Sequence, residues 1–144
     1  MISNSSKYAI KAVLYIAAHA SEEKKVMVKD IPELINVPKA YVAKLLQELS
    51  RQHIISSLRG PKGGFYLTKD NKKKSIMNII EVIDGDQNNE SCLLSLHNCN
   101  PKKPCPLHNS IHPIKRNLMK VFKEKTIEEL SNEVKSGQVF LVKK

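Results

Sequence analysis

Three cysteines, Cys92, Cys99 and Cys105, are separated by six and five residues, and His108 follows three positions after the last. Thiolate and imidazole are the donors of both iron–sulfur clusters and zinc, so donor type alone leaves the two open. Structural zinc sites usually pair ligands two to four residues apart, a spacing met only by Cys105 and His108. The wider gaps favour a cluster, with zinc as the alternative; the spacing does not fix the nuclearity, and two-iron two-sulfur is expected ahead of four-iron four-sulfur. The surroundings, Pro101, Pro104, Pro106, Asn98, Asn100, Lys102 and Lys103, describe a polar loop and not an apolar core. His97 is a substitute ligand in the same loop, and His112 lies one helical turn beyond His108. His19 and His53 fall on predicted helix ends and read as structural. No orienting third group or oxyanion-hole motif accompanies a cysteine–histidine pair, which argues against an enzyme.

An odd number of cysteines with no secretory start implies reduced thiols and a cytoplasmic protein. No run approaches the roughly 18 apolar residues of a membrane span. The 24 Lys and Arg outnumber the 14 Asp and Glu, for a formal charge of +10. A surplus of that sign attracts polyanions, with nucleic acid foremost.

Elements that would position these groups follow from periodicity. Tyr8, Ala12, Tyr15 and Ile16 predict a first helix over residues 7–20, with Asn4, Ser5 and Ser6 as caps. Residues 26–28 suit a short strand, and Asp30 with Glu33 resembles a capping box for a short second helix. Pro38 then opens a third helix to about Gln52, since its missing N–H has no intrahelical partner there. Tyr41, Val42, Leu45, Leu46 and Leu49 share one face of it. Ala40, Ala43, Lys44, Gln47 and Arg51 share the other, with Lys39 at the start. That second face is small, polar and cationic: the alanines allow close approach to a duplex, Gln47 can read base edges, and Lys44 and Arg51 can reach phosphate or guanine.

Residues 54–58 and 65–68 read as two strands joined by Arg59-Gly60-Pro61-Lys62-Gly63-Gly64, a hairpin whose tip places Arg59 and Lys62 beside three glycines. Such a tip can enter a narrow minor groove. Helix, turn, helix and cationic hairpin in succession is the order of a winged helix domain. After a basic loop, residues 69–74, Ser75 caps a helix that Gly85 ends. A long helix over about 109–125 carries Ile111, Ile114, Leu118, Val121 and Phe122 near heptad spacing, which suits pairing with a second copy or packing on the chain's own core. Thr126 and Glu129 form a capping box for a short closing helix to about Lys135.

Lys7-Tyr8-Ala9, Tyr41, Arg59-Gly60-Pro61-x-Gly63-Gly64 and the cysteine trio together resemble the Rrf-two family of winged-helix transcription regulators, in its cluster-binding branch. The resemblance spans nearly the whole chain. It implies a mainly α fold with a small β-hairpin wing and a long dimerisation helix. By that resemblance Tyr41 contacts DNA, Arg59 enters the minor groove, and Cys92, Cys99 and Cys105 with His108 hold an iron–sulfur cluster. Two departures are visible: the first cysteine gap is one residue longer than in the family's iron–sulfur assembly regulator, and Lys7 stands where its nitric oxide sensor has a carboxylate.

The combined expectation is a homodimeric repressor of double-stranded DNA that reads a pseudo-palindromic operator under control of its cluster. Residues 1–85 would form the DNA-binding domain, 86–108 the cluster loop, and 109–144 the dimerisation helix with the C-terminal helix and tail. The rivals are the same fold with zinc or thiol redox sensing, and a winged-helix adaptor that binds a partner protein instead of DNA.

Overall fold

Ser3 sets the start of the first helix. Its hydroxyl accepts from the Ser6 N–H at 3.0 Å, so α1 runs over Asn4–His19 and the three residues expected as caps lie inside it. The computed structural model describes residues 2–32, 37–85, 92–94 and 100–141. Within it, α1 is the central element: Ala9, Ala12, Val13, Ile16 and Ala17 are buried and belong to one hydrophobic cluster.

Val26 does not begin a strand. It makes one antiparallel bridge with Phe65, and the chain then turns through a short 3-10 helix, Val28–Asp30. The partner expected for Asp30 in a capping box, Glu33, and the apolar pair Leu34 and Ile35 lie outside the described residues. Helix α2 spans Lys39–Arg51, with Pro38 as its N-cap. It buries Val42, Leu46 and Leu49 against the core. Its end is set by His53, which adopts φ 62, while the Ile54 N–H donates to the Leu49 carbonyl at 2.9 Å and the His53 N–H to the Ser50 carbonyl at 3.1 Å. This six-to-one closure is usually built on glycine.

The wing is a two-stranded antiparallel hairpin, β1 (Ser56–Leu58) and β2 (Gly64–Tyr66), in the register Ser56 with Tyr66, Ser57 with Phe65 and Leu58 with Gly64. The segment expected to be a plain basic loop contains one helical turn instead, α3 (Lys69–Lys72), held by a capping box between Thr68 and Asn71. Helix α4 (Ile76–Asp84) follows, capped by Ser75 and ended by Gly85 at φ 78. Helix α5 spans His108–Glu124 and contains Pro113, which has no N–H to offer the Asn109 carbonyl.

Helix α6 (Ile127–Lys135) starts in the capping box of Thr126 and Glu129. Backbone bonds tie it to α4: the Ile76 N–H donates to Lys125 at 3.0 Å and the Ile127 N–H to Lys74 at 2.9 Å. Ile127 is fully buried, and Leu130 packs against the same cluster as α1. The last turns of α5 contribute Met119 and Phe122 to that cluster. The opposite side of α5 is open, with Ile114 62% and Val121 49% exposed. No described helix is long and apolar enough to cross a membrane.

Candidate nucleic-acid interface and cysteine pocket

Helix α2 presents Lys39, Ala40, Tyr41, Lys44, Gln47 and Arg51 to solvent, with Ala43 half-buried between them. Tyr41, expected on the apolar face, is instead 37% exposed at its edge. Its ring meets Tyr8 of α1 edge-on, with centroids 6.4 Å apart, and its hydroxyl is hydrogen-bonded to that of Ser5. A phenol so held presents a fixed polar edge between the N-termini of α1 and α2.

The two ends of the helix differ in what their cations do. Lys39 Nζ turns back and donates to the carbonyls of Lys29 at 2.8 Å and Ile31 at 2.9 Å, with Val28 farther at 3.5 Å. It therefore braces the turn that precedes the helix, where Pro38 supplies no side-chain cap. Arg51 pairs with Glu48 at 2.7 Å across one helical turn, an exposed contact that a phosphate can replace at little cost. Lys44 and Gln47 between them project outward.

The wing tip is a tight turn in which the Gly63 N–H donates to the Gly60 carbonyl at 2.9 Å, with Pro61 at its second position. Arg59, Gly60, Pro61 and Lys62 are all exposed. At Gly63 a Cβ would stand 2.1 Å from the Leu58 carbonyl oxygen, and at Gly64, φ 146, it would stand 2.8 Å from that of Val26. Glycine is required at both by close backbone approach.

Asn71 fixes the wing to the end of α2. It is buried; its Oδ1 accepts from the Ser56 hydroxyl at 2.8 Å and from the Thr68 N–H at 2.9 Å, and its Nδ2 donates to the His53 carbonyl at 3.0 Å. One side chain thus joins β1, α3 and the end of α2. The sequence reading missed it within a lysine-rich stretch, although Thr68 and Asn71 have the spacing of a capping box. Asn71→Leu removes four side-chain bonds, the Thr68 hydroxyl's among them, and leaves the His53 carbonyl and Ser56 hydroxyl without that partner. It should lower stability by about 2–3 kcal/mol and weaken DNA binding, measurable by urea denaturation and by fluorescence anisotropy.

Cys92 and Cys105 line one shallow, open recess together with Leu93, Leu107, His108, Ile111, His112 and Lys115. Cys92 and His108 are buried and Cys105 half-buried. His108 opens α5, its N–H donating to the Cys105 carbonyl at 3.0 Å. His112 stacks on it, ring centroids 4.8 Å apart and planes 14° from parallel. Cys99, the third expected thiolate, and His97 lie outside the described residues. Among the described residues no three His, Cys, Asp or Glu stand close enough to hold a metal ion. The donor chemistry nevertheless fits a thiolate- and imidazole-held group: two thiols and two imidazoles face one recess with apolar walls.

A family model described as Rrf2, iron-dependent transcriptional regulator, matches residues 2–133. The chain belongs to the Rrf2 family. A protein of Aquifex aeolicus (strain VF5) named as an HTH-type transcriptional regulator is 33% identical over 134 residues, 92% of each chain. The regulator IscR of Serratia proteamaculans is 26% identical over 131 residues, 91% of this chain and 79% of its own. Among solved structures, CymR of B. subtilis superposes with a TM-score of 0.71 at 20% identity, covering 92% of this chain and 96% of its own. IscR of T. potens gives 0.68 at 21% identity, covering 96% and 91%. The mainly helical winged-helix fold expected for an Rrf2 protein is the one found. The matched relatives are transcription regulators, not enzymes, and DNA is the partner that the family implies for this Rrf2 member.

Proposed function

We propose that this Rrf2 protein is a repressor that binds a pseudo-palindromic operator as a homodimer, and whose DNA affinity is set by an iron–sulfur cluster. Residues 1–85 would bind DNA, 86–108 hold the cluster and 109–144 pair the subunits. The observation that carries the reading is the recess that gathers Cys92, Cys105 and His108 at the first turn of α5, the helix whose exposed Ile114 and Val121 suit pairing with a second copy.

Cys92, Cys105, His108 and, from the sequence, Cys99 would hold the cluster. The group itself would supply an oxidant- and redox-sensitive site. The chain's own residues do the rest. His108 anchors the loop to α5, Asn71 holds the wing to α2, and Lys44, Gln47, Arg51, Arg59 and Lys62 meet the duplex, beside Tyr41. Ala40 and Ala43 allow close approach. Lys39, a candidate contact, supports the interface from behind.

The test is anaerobic purification with iron, sulfide and zinc measured on one sample, followed by anisotropy on an operator selected from genomic fragments. We expect iron and sulfide in equal amounts, and replacement of all three cysteines by alanine should change operator affinity about tenfold. Protein without iron, or affinity indifferent to the cysteines, would remove the cluster from the mechanism and leave the DNA-binding function standing.

A further inference from the structure

Helix α1 is clasped at its start by a carboxylate from a distant part of the chain. Ser3 caps the helix, and Asp84, the last residue of α4, accepts from both of its donors: the Ser3 N–H reaches Oδ2 at 3.1 Å, and the Ser3 hydroxyl donates to Oδ1. In the same first turn, the Ser5 hydroxyl meets that of Tyr41 on α2, while the Tyr8 ring meets the Tyr41 ring edge-on. We propose that Asp84 is a positioning residue for DNA binding: through the first turn of α1 it holds the Tyr41 phenol in the orientation that meets a phosphate oxygen of the duplex. The contact of Tyr41 with DNA belongs to the function proposed above, and the role of Asp84 rests on it.

Three links connect Asp84 with Tyr41. A hydroxyl has one proton, and that of Ser3 is committed to Asp84, so its lone pairs are left to the Ser6 N–H, which donates to it at 3.0 Å. The carboxylate thus fixes the rotor that caps the helix. It also supplies charge: α1 has no acidic residue in its own first turn, and Asp84 places one at the positive end of the helix from outside. The second link is the turn itself, closed by the Lys7 N–H on the Ser3 carbonyl at 3.1 Å, with Ser5 and Ser6 between them. The third is the bond of Ser5 with Tyr41. Written with Ser5 as donor, it leaves the phenolic proton for an outside acceptor, and phosphate oxygens are what a duplex offers along its backbone.

Charge alone predicts the opposite effect of losing Asp84. Removing a carboxylate adds one positive charge to a chain already at +10, which by long-range attraction tightens binding to DNA. Loss of positioning weakens it, so the sign of the change separates the two.

Wild type, Asp84→Ala, Asp84→Asn, Tyr41→Phe and the double variant Asp84→Ala with Tyr41→Phe should be compared as full-length proteins by fluorescence anisotropy on the selected operator, below the melting temperature of each. Asp84→Ala should weaken binding about fivefold where Tyr41 is present and less than about twofold in the Tyr41→Phe background. Asp84→Asn makes the same change of charge but keeps an acceptor oxygen, and it should fall between wild type and Asp84→Ala. Nuclear magnetic resonance of protein labelled at its four tyrosine rings tests the link without DNA. Tyr41→Phe assigns one signal, and Asp84→Ala should shift that signal and leave that of Tyr66 in β2 in place. Tighter or unchanged operator binding by folded Asp84→Ala, equal losses in both Tyr41 backgrounds, or an unmoved Tyr41 signal would each overturn the role of Asp84 and leave DNA binding standing. Absence of duplex binding by wild type, even at low salt, would instead remove the DNA-binding function and this role together.

Discussion

Gly63→Ala is expected to open the wing, lowering stability by about 3 kcal/mol and taking most of the DNA affinity with it. The reason is backbone against backbone. A Cβ at position 63 would lie 2.1 Å from the Leu58 oxygen and 2.9 Å from the carbonyl carbons of Leu58 and Arg59. No flexible side chain can move aside to relieve this. Leu58 is the last residue of β1 and sits opposite Gly64, so the clash falls on the pair that closes the hairpin. Relief requires the two strands to separate at the tip, where Arg59 and Lys62 are displayed. Gly60 is the internal comparison. It has φ 107 but open space around its Cβ position, so Gly60→Ala meets only the intrinsic cost of that conformation, about 1–2 kcal/mol. Urea denaturation and anisotropy on the same variants should therefore rank Gly63→Ala well below Gly60→Ala in both stability and affinity.

The second large effect is expected far from DNA. Ile127 is fully buried at the start of α6 and belongs to the cluster formed by α1, α2 and α4. Ile127→Ala deletes core methylenes where the reciprocal backbone bonds of Ile76 with Lys125 and Ile127 with Lys74 prevent easy collapse. A cavity that cannot close places the loss at about 3–4 kcal/mol. The variant should still melt in a single step, because α6 is part of the same core as α2. Two separate transitions in a calorimetric scan would show α6 to be an independent unit.

The sequence was most legible where one residue type has one job. Ser75 and Thr126 as caps, Gly85 as a stop and the glycine-rich wing all follow from local chemistry and are found in place. It was less legible where tertiary contacts override local preference. Tyr41 has the spacing of a core residue, but Ser5 and Tyr8 of α1 meet it at the edge of the helix. Lys39 has the chemistry of a phosphate ligand, yet three nearby carbonyls hold its ammonium. His53 takes a left-handed conformation that its side chain does not announce, and Asn71 is needed because of where that backbone carbonyl ends up. In the candidate site, two of the expected cysteines and His108 do line one recess, while the stack of His112 on His108 depends on the rotamers that α5 imposes and not on spacing alone.

Pro113 gives α5 a mechanical character that a continuous helix would lack. The rung between residues 109 and 113 is missing, immediately after the two stacked histidines, and a helix bends most readily where a rung is absent. The first turn, which borders the recess, and the last turns, which carry Met119 and Phe122 into the core, are thereby two stiff rods on a compliant joint. Bending there would tilt the first turn, with His108 and His112, relative to the last turns that sit on the core. The missing rung thus falls between the turn that borders the recess and the turns that pack on the core.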